Sequence, residues 1–392
     1  MSGFKFVHCA DLHLGGRFSG VSSRDPGLGE RLTESAFASF HRIVDLAISE
    51  GASLMVISGD VFDESGESPD TRYRFARELE RLGAPCVIAL GNHDFKRSWE
   101  KSIPYPPNAH VFPAEPERIE LELGGERVEV VGRSFSSRHT GENLAASLRG
   151  SGGAFTIAVV HCDLDSAEGR YAPCQPADLV GKGVDYWALG HIHARRLVRE
   201  RPHAAYPGNI QGRNPKEKGE KGAYVVEVSG GAVAGMRFAP TQEILWADAR
   251  VDITGKDMGG LMRAIRRECE PGSIVSLEIT GKGDLDEALR LDPSLADRVA
   301  REAGCIVSSI DLRTSPPIDL SSLPPNGILA KVAEAGGAAA AMDREALISR
   351  ICRTRASASI RGAFEGMSDD ELRAMARDAE LLLIDRIAGG SA

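Results

Sequence analysis

The stretch "VDYWALGHIH", residues 184–193, ends a short apolar run in two histidines one residue apart. In an extended chain the side chains at i and i+2 point the same way, so His191 and His193 face one side together. A single histidine at the end of a half-buried strand is ordinarily a satisfied polar residue. The pair acquires meaning only where other metal-capable side chains converge on it, and the preceding residues supply them. Four earlier runs, "FKFVHCA" (4–10), "SLMVIS" (53–58), "PCVIAL" (85–90) and "FTIAVV" (155–160), have the length and β-branched content of buried strands. The first is followed by Asp11-Leu12-His13 and the second by Gly59-Asp60, with Asp63 three residues on. The third is followed by Gly91-Asn92-His93-Asp94 and the fourth by His161. Five strands therefore each deliver a metal-capable side chain at their C-terminal end, where open α/β sheets bind ligands.

The segments between these runs fit the same layering. Residues 34–50 carry Phe37, Phe40, Ile43, Val44, Leu46, Ala47 and Ile48 at helical spacing, and 70–82 also read as a helix. Strand, helix, strand at this spacing indicates an α/β protein. "RIELELGGERVEVVG", from 118, predicts a hairpin turning at Gly-Gly, and 222–239 predicts a second. Beyond about 245 the pattern becomes strand (249–255), helix (256–269), strand (273–281) and a later strand (305–314). "SPPIDLSSLPPNG" (315–327) has the composition of a linker and "AGGAAAAM" (335–342) that of a spacer. The last fifty residues read as helical. Ser368 and Glu371 form a capping box for a final helix bearing Leu372, Met375, Ala379, Leu382, Leu383 and Ile387. The expected division is 1–242, 243–316 as a small α+β domain, a 317–341 linker and a helical 342–392.

Asp, Asn and His together make a mixed oxygen/nitrogen donor set without thiolates, unlike a structural zinc site. Such a set suits manganese or iron at higher coordination number and also admits zinc. The glycines before Asp60, Asn92 and His191 are expected to let the chain turn sharply off each strand. Asp11, His13, Asp60, Asn92, His161, His191 and His193 are too many ligands for one ion. They suit two ions sharing one carboxylate, about 3.5–4 Å apart, an arrangement that activates water and stabilises the oxygens of a phosphoryl displacement.

The order D-x-H, GD-x-x-D, GNHD, H, GHxH resembles the calcineurin-like metallophosphoesterases. "HCADLHL", "GDVFD" and "YWALGHIH" followed by "YPGNIQGR" are similar to the SbcD-like, YhaO-type DNA repair exonucleases within them. The likeness covers about residues 4–240 and is vaguer beyond. It implies a four-layer αββα sandwich and a manganese-dependent nuclease. Carried over, one ion would bind Asp11, His13, Asp60 and His193, and the other Asp60, Asn92, His161 and His191, with Asp60 bridging. His93 would contact phosphate or protonate the leaving oxygen, oriented by Asp94. The eukaryotic and archaeal relatives tend to have histidine at position 63, so Asp63 sides with the bacterial branch. The resemblance further implies a homodimer working with an SMC-like coiled-coil ATPase on DNA.

Composition sets the outer bounds. The chain has 392 residues, 42% hydrophobic and 26% charged, with a formal net charge of −9. That balance argues against a protein that coats nucleic acid nonspecifically. Between Arg195 and Lys221, however, eight Lys/Arg stand against three Glu, a stretch that reads either as a solvated loop or as a phosphate contact. No run approaches the length of a membrane span, and no basic region leads into an apolar one at the start, so neither membrane insertion nor a signal peptide is expected. Seven scattered cysteines, none in C-x-x-C spacing, point to reduced thiols and a cytoplasmic setting. Asn209 and Arg213 in "PGNIQGR" are candidate substrate contacts, as are Arg133 and Arg138 for a DNA strand. Cys9 and Cys162 read as small core residues. The main expectation is a two-metal DNA phosphodiesterase. The alternatives are a small-molecule phosphodiesterase of the same fold and a DNA-binding scaffold with a vestigial site. "GDVFDES" lacks the Arg-Gly continuation usual in phosphoprotein phosphatases, and an intact ligand set counts against the scaffold.

Overall fold

Strands that are buried on both faces read as nearly continuous apolar runs, and the five runs above form the centre of two stacked sheets. The computed structural model describes residues 3–16, 26–63, 67–94, 103–164, 166, 168–292, 294–317, 327–353 and 361–388. The first sheet contains β1 (Gly3–Cys9), β2 (Leu54–Ser58), β3 (Cys86–Ala89) and β4 (Ala109–Val111), with β11 (Gly222–Ser229) and β12 (Ala232–Pro240), in the order β12-β11-β1-β2-β3-β4. The second contains β5 (Glu117–Leu123), β6 (Glu126–Gly132), β7 (Phe155–His161), β8 (Tyr186–Gly190), β9 (Arg196–Glu200) and β10 (His203–Tyr206), in the order β5-β6-β7-β8-β10-β9. In the first, β1, β2, β3 and β4 run parallel; in the second, β6, β7, β8 and β10 do so. The C-terminal ends of each parallel set therefore lie together.

The period of two sorts the side chains into three cores. Phe6, Leu54, Val56 and Val87 meet Val130, Ile157, Val159 and Tyr186 between the sheets. Val7, Cys9, Met55 and Ile57 pack outward against Phe40, Ile43, Val44, Phe75 and Leu79, which come from α1 (Pro26–Ser49) and α2 (Pro69–Leu82). Ala158, Val160, Trp187 and Leu189 pack outward on the other side, under Leu144, Leu148 and Leu179. This is the expected four-layer sandwich, with the outer layer over the second sheet built from two short 3₁₀ turns, Leu144–Ser147 and Pro176–Leu179, and their connections. Both expected hairpins form. Gly124 and Gly125 have φ of 57° and 80°, and Gly230 and Gly231 of 61° and 72°, as two-residue turns with both central residues left-handed require. The capped start of α2 at Ser68 and its left-handed Gly83 likewise follow from the sequence.

Two compact units emerge: Met1–Gly281 with Ala288–Thr314, and Lys282–Glu287 with Ser315–Ala392. Within the first, a three-stranded sheet of β13 (Trp246–Asp252), β14 (Ile274–Lys282) and β15 (Ile306–Ser315) packs Trp246 and Ile274 against Leu28 and Leu32 of α1. Helix α3 (Met258–Glu268) matches the expectation, while α4 (Leu285–Leu291) and α5 (Leu295–Glu302) had no sequence counterpart above. The second unit holds α6 (Ile328–Ala340), α7 (Arg344–Ile351), α8 (Arg361–Glu365) and α9 (Asp369–Ala388). Most of the "spacer" 335–342 is thus helix α6. Alanine has the highest helix propensity, which outweighs the cost of Gly336 and Gly337. Residues 318–326 of the expected linker lie outside the described residues. The Ser368–Glu371 capping box forms in both directions, at 2.7 and 3.3 Å. The apolar residues of α9 are only partly covered: Leu372 is buried against Leu347 and Ile348, and Met375 is half-buried beside them, whereas Ala379 and Leu383 are exposed.

Candidate metal centre

The loops after β1 and β2 continue side by side beyond the strands. Asp11 N–H donates to Gly59 O (3.0 Å), His13 N–H to Asp60 O (2.9 Å) and Leu14 N–H to Val61 O (3.0 Å). This pairing sets Asp11 and His13 beside Asp60 and Asp63. From the second sheet, His161 closes β7 and His191 and His193 follow β8, so both sheets contribute to one cluster. Asp11, His13, Asp60, Asn92 and His161 are all buried. Three donor sets hold their atoms within 4.8 Å of one another: Asp11, His13 and His193; Asp11, Asp60 and His161; and His13, Asp63 and His93.

The distances are those of side chains gathered round an electrophile. His13 Nε2 lies 3.0 Å from His193 Nε2 and 3.7 Å from an Asp60 oxygen. His161 Nε2 lies 3.4 Å from Asp60 and 3.1 Å from Asn92 Oδ1. The His191 ring stands 5.2 Å from that of His161, and its backbone N–H donates to both Asp11 oxygens at 3.1 and 3.2 Å. His161 Nδ1 donates to Ser58 O at 3.0 Å, which turns Nε2 toward Asp60 and Asn92. Metal-ligating histidines commonly give their other ring N–H to a backbone carbonyl in this way, which fixes the ring's orientation. Ser58 Oγ in turn bonds the fully buried His8, whose other nitrogen meets Tyr186 in the inter-sheet core.

Three close glycines explain the motifs. A Cβ on Gly59 would lie 2.4 Å from His161 Nδ1, one on Gly91 2.2 Å from Asp60 Oδ1, and one on Gly190 1.7 Å from Ser58 O. Only Gly59 also has a positive φ, 91°. Gly91 is there for close approach of the loops after β2 and β3, and Gly190 for close approach of the two sheets, not for the turn that sequence spacing suggested.

Without a cation the cluster is electrostatically unbalanced. Burial pushes Asp11 up to about 6 and His191 down to about 3, and it lowers His13 as well. Burial also opposes charge on Asp60 and His161, but their mutual attraction outweighs it. Asp60 is held below the usual carboxylate range and His161 is raised to about 9. His13 Nδ1 and His93 Nδ1 are buried with no hydrogen-bond partner among the described residues. Buried polar atoms are nearly always partnered. These orphaned nitrogens, in a cluster of three carboxylates and five imidazoles, fit a site for divalent cations. The thiols beside it stay out: Cys9 and Cys162 are fully buried in the two outer cores, and burial raises Cys9.

Residues 4–195 match the calcineurin-like phosphoesterase family. This part of the chain belongs to that family. The uncharacterized metallophosphoesterase YhaO of Bacillus subtilis (strain 168) is 38% identical over 270 residues, covering 66% of each chain. The DNA double-strand break repair protein Mre11 of Aeropyrum pernix is 29% identical over 252 residues, covering 58% of this chain and 59% of that one. Mre11 of Methanopyrus kandleri is 24% identical over 367 residues, covering 83% and 76%. The alignments to the first two thus reach about two thirds or less of those relatives' lengths. The calcineurin-like phosphoesterases are hydrolases, and the seven residues expected as ligands lie close together in this chain.

Other expectations fare differently. Asp94 does not orient the His93 ring: its two oxygens accept from the backbone N–H groups of Gly91, Val61 and Phe62 at 2.8, 3.2 and 2.9 Å, which fixes the turn instead. His93 N–H donates to Asp60 Oδ1 at 2.9 Å, and its ring stands 5.1 Å from that of His13. Arg133 is buried and spends its guanidinium on Glu142, Ser147 and Ala114 O, so it meets no DNA strand. The basic stretch is partly consumed within the protein. Lys221 is buried and donates to His193 O (2.9 Å), Lys218 pairs with Asp248 (2.5 Å), and Arg195 lies over the Phe238 ring. Asn209 is fully buried, and Arg213 pairs with Asp63. Sequence reasoning missed Glu217. Its carboxylate accepts from His193 Nδ1 (2.9 Å), Asn209 Nδ2 (2.6 Å) and Arg213 N–H (2.8 Å), which holds it down at about 2 against burial. No helix among the described residues is long and apolar enough to cross a membrane.

Proposed function

We propose that this chain is a metal-dependent phosphodiesterase that hydrolyses DNA. The observation that carries the reading is the convergence of seven oxygen and nitrogen donors, from five strand ends in two sheets, on one buried cluster with orphaned imidazole nitrogens. One divalent ion, manganese by the hardness of the donors, would take Asp11, His13, Asp60 and His193. A second would take Asp60, Asn92, His161 and His191, with Asp60 common to both. When bound, the ions supply a water made acidic enough to attack and positive charge for the phosphate oxygens.

The protein's own residues do the rest. Asp60 is fixed by the His93 backbone N–H, so the shared carboxylate cannot rotate away. The His93 imidazole, with an unused Nδ1, is the group available to hold a phosphate oxygen or pass a proton to the leaving oxygen. The low-dielectric walls strengthen each of these contacts. DNA as the polymer is supported by likeness to Mre11 proteins, whose names assign them to double-strand break repair. Self-association and an SMC-like ATPase partner belong to the proposal only as what the sequence resemblance implies.

Manganese-dependent release of nucleotides from duplex, hairpin and single-stranded DNA, beside hydrolysis of bis(p-nitrophenyl) phosphate, tests the reading. Cleavage of DNA and ester, both abolished by EDTA, is expected. Ester cleavage with all three DNAs untouched would overturn it in favour of a small-molecule phosphodiesterase.

A further inference from the structure

His13 and His193 face each other through their Nε2 atoms at 3.0 Å, so their Nδ1 atoms point outward to opposite sides. Each Nδ1 looks at a carboxylate. His193 Nδ1 bonds Glu217 at 2.9 Å, and His13 Nδ1 lies 3.8 Å from Asp63. One residue ties the two carboxylates together. The Arg213 guanidinium pairs with Asp63, and the Arg213 backbone N–H donates to Glu217 at 2.8 Å. We propose that Asp63, Arg213 and Glu217 form a strap that holds His13 and His193 with Nδ1 protonated, so that both Nε2 atoms are presented to one metal ion. Arg213 and Asn209 are then positioning residues, not substrate contacts. The inference rests on the two-metal reading above.

The strap is built stiffly. Asn209, fully buried, donates to Glu217 at 2.6 Å, and Asn214 Nδ2 donates to it at 3.0 Å. Trp246 Nε1 anchors Gly212 O at 2.8 Å, and Gly219 N–H donates to Trp246 O at 2.9 Å. Lys221 clamps His193 O at the loop's far end. Gly208, at φ 79°, lets the chain pass where a Cβ would lie 2.7 Å from His193 O. A loop that only filled surface would not aim three donors besides His193 at one carboxylate and a buried lysine at the histidine's own carbonyl. The arrangement also accounts for aspartate at position 63: a carboxylate there faces His13 Nδ1 at 3.8 Å and is charge-paired by Arg213, and a histidine could not pair with Arg213 in the same way.

The test is calorimetric titration of full-length protein with Mn²⁺, for wild type, Glu217→Ala, Glu217→Gln, Asp63→Asn, Arg213→Gln and the double variant Asp63→Asn/Arg213→Gln. Melting temperatures check folding. Wild type should bind two ions. Glu217→Ala should weaken one of them about 10–100-fold, the usual loss on removing such a partner, and leave the other within threefold. Glu217→Gln, which still accepts from Nδ1, should recover most of that loss. Asp63→Asn and Arg213→Gln should each weaken the same ion, and the double variant should be no worse than either single change, because they act through one arm. Two ions in wild type with unchanged affinities in every variant would overturn the strap while leaving the two-metal reading intact. The same holds for an Arg213→Gln protein with normal metal affinity and a raised KM for phosphodiester, which would return Arg213 to the substrate. Fewer than two ions in wild type would overturn both.

Discussion

Metal uptake should release protons, at least one of them from His161. His161 is raised to about 9 because the Asp60 carboxylate 3.4 Å away, with Asp11 behind it, outweighs the cost of burying its charge. A cation needs the Nε2 lone pair, so at pH 7 it must displace that proton. Two pH units below the pKa the deprotonated form is about one part in a hundred, a penalty of roughly 3 kcal/mol on binding. His193 is raised too, through Glu217, and adds to the release. His13 and His191 are lowered and contribute no proton near neutrality. Affinity for manganese should therefore climb at least about tenfold per unit between pH 6.5 and 8.5. The sign in the metal-free protein is the reverse. Stability from a raised histidine is fully present below its unfolded value near 6.5 and fades as pH rises through about 9. The thermal shift caused by saturating manganese should thus be larger at pH 8 than at 6.5. Calorimetry in two buffers of different ionisation enthalpy reads the proton count directly. Two ions bound at pH 7 with no proton released would refute the reasoning.

Asp60→Asn should weaken both ions and abolish hydrolysis with the fold retained, as measured by metal analysis and circular dichroism; activity within about tenfold of wild type at saturating manganese would count against a shared carboxylate. His93→Ala should keep both ions yet lose roughly 10²–10⁴ in rate; loss of an ion on elemental analysis would make it a ligand, joining the His13–Asp63–His93 set. Gly190→Ala, whose Cβ would collide with Ser58 O and approach His161 Nδ1 to 2.9 Å, should cost about 1–3 kcal/mol and lower the melting temperature by roughly 3–10 °C. Gly153→Ala, with only Ser151 Oγ at 4.0 Å, is the control and should leave melting unchanged.

The candidate site was more legible than its support. Each ligand sits directly after an apolar run, and period and position suffice to place such residues at strand ends. Turn chemistry fixed both hairpins for a similarly local reason, since Gly-Gly is read without knowing the rest of the chain. Glu217 lies 24 residues beyond His193, in a stretch dominated by lysine and arginine, and nothing local separates a carboxylate that orients a ligand from one that is merely solvated. Arg133 failed in the mirror sense: an arginine following a strand looked free, yet the fold buries it against Glu142. Asp94 was assigned by adjacency to His93, but in a tight turn the nearest donors are backbone amides. The strand β9 was hidden because its sequence is basic, and β10 because its four residues, His-Ala-Ala-Tyr, include no β-branched residue. At the edge of the second sheet β9 needs only one covered face, so its residues are mostly exposed or half-buried and lack the apolar run that marked the others.

The backbone itself marks the site. Among the described residues, the non-glycine residues with positive φ are Asp11 (51°), His13 (45°), Asp60 (49°), Ala172 (50°) and His191 (106°). Four of the five are candidate ligands. Such conformations cost on the order of 1–3 kcal/mol each and survive only where the surroundings over-determine them. Here they do. The Asp11 and His13 amides are pinned to the loop after β2, the turn after Asp60 is held by Asp94, and the His191 amide is pinned to the Asp11 carboxylate. In a regular strand, successive side chains diverge to opposite faces, so a sheet edge alone cannot aim Asp11, Asp60 and His191 at one point. The left-handed residues redirect the chain just past the last ladder bond and swing each donor into the gap between the sheets. The strain and the unbalanced buried charge are therefore two faces of one design. The fold spends stability to hold donors close together before any cation arrives, and cation binding offsets that cost by neutralising the carboxylates the fold has brought together.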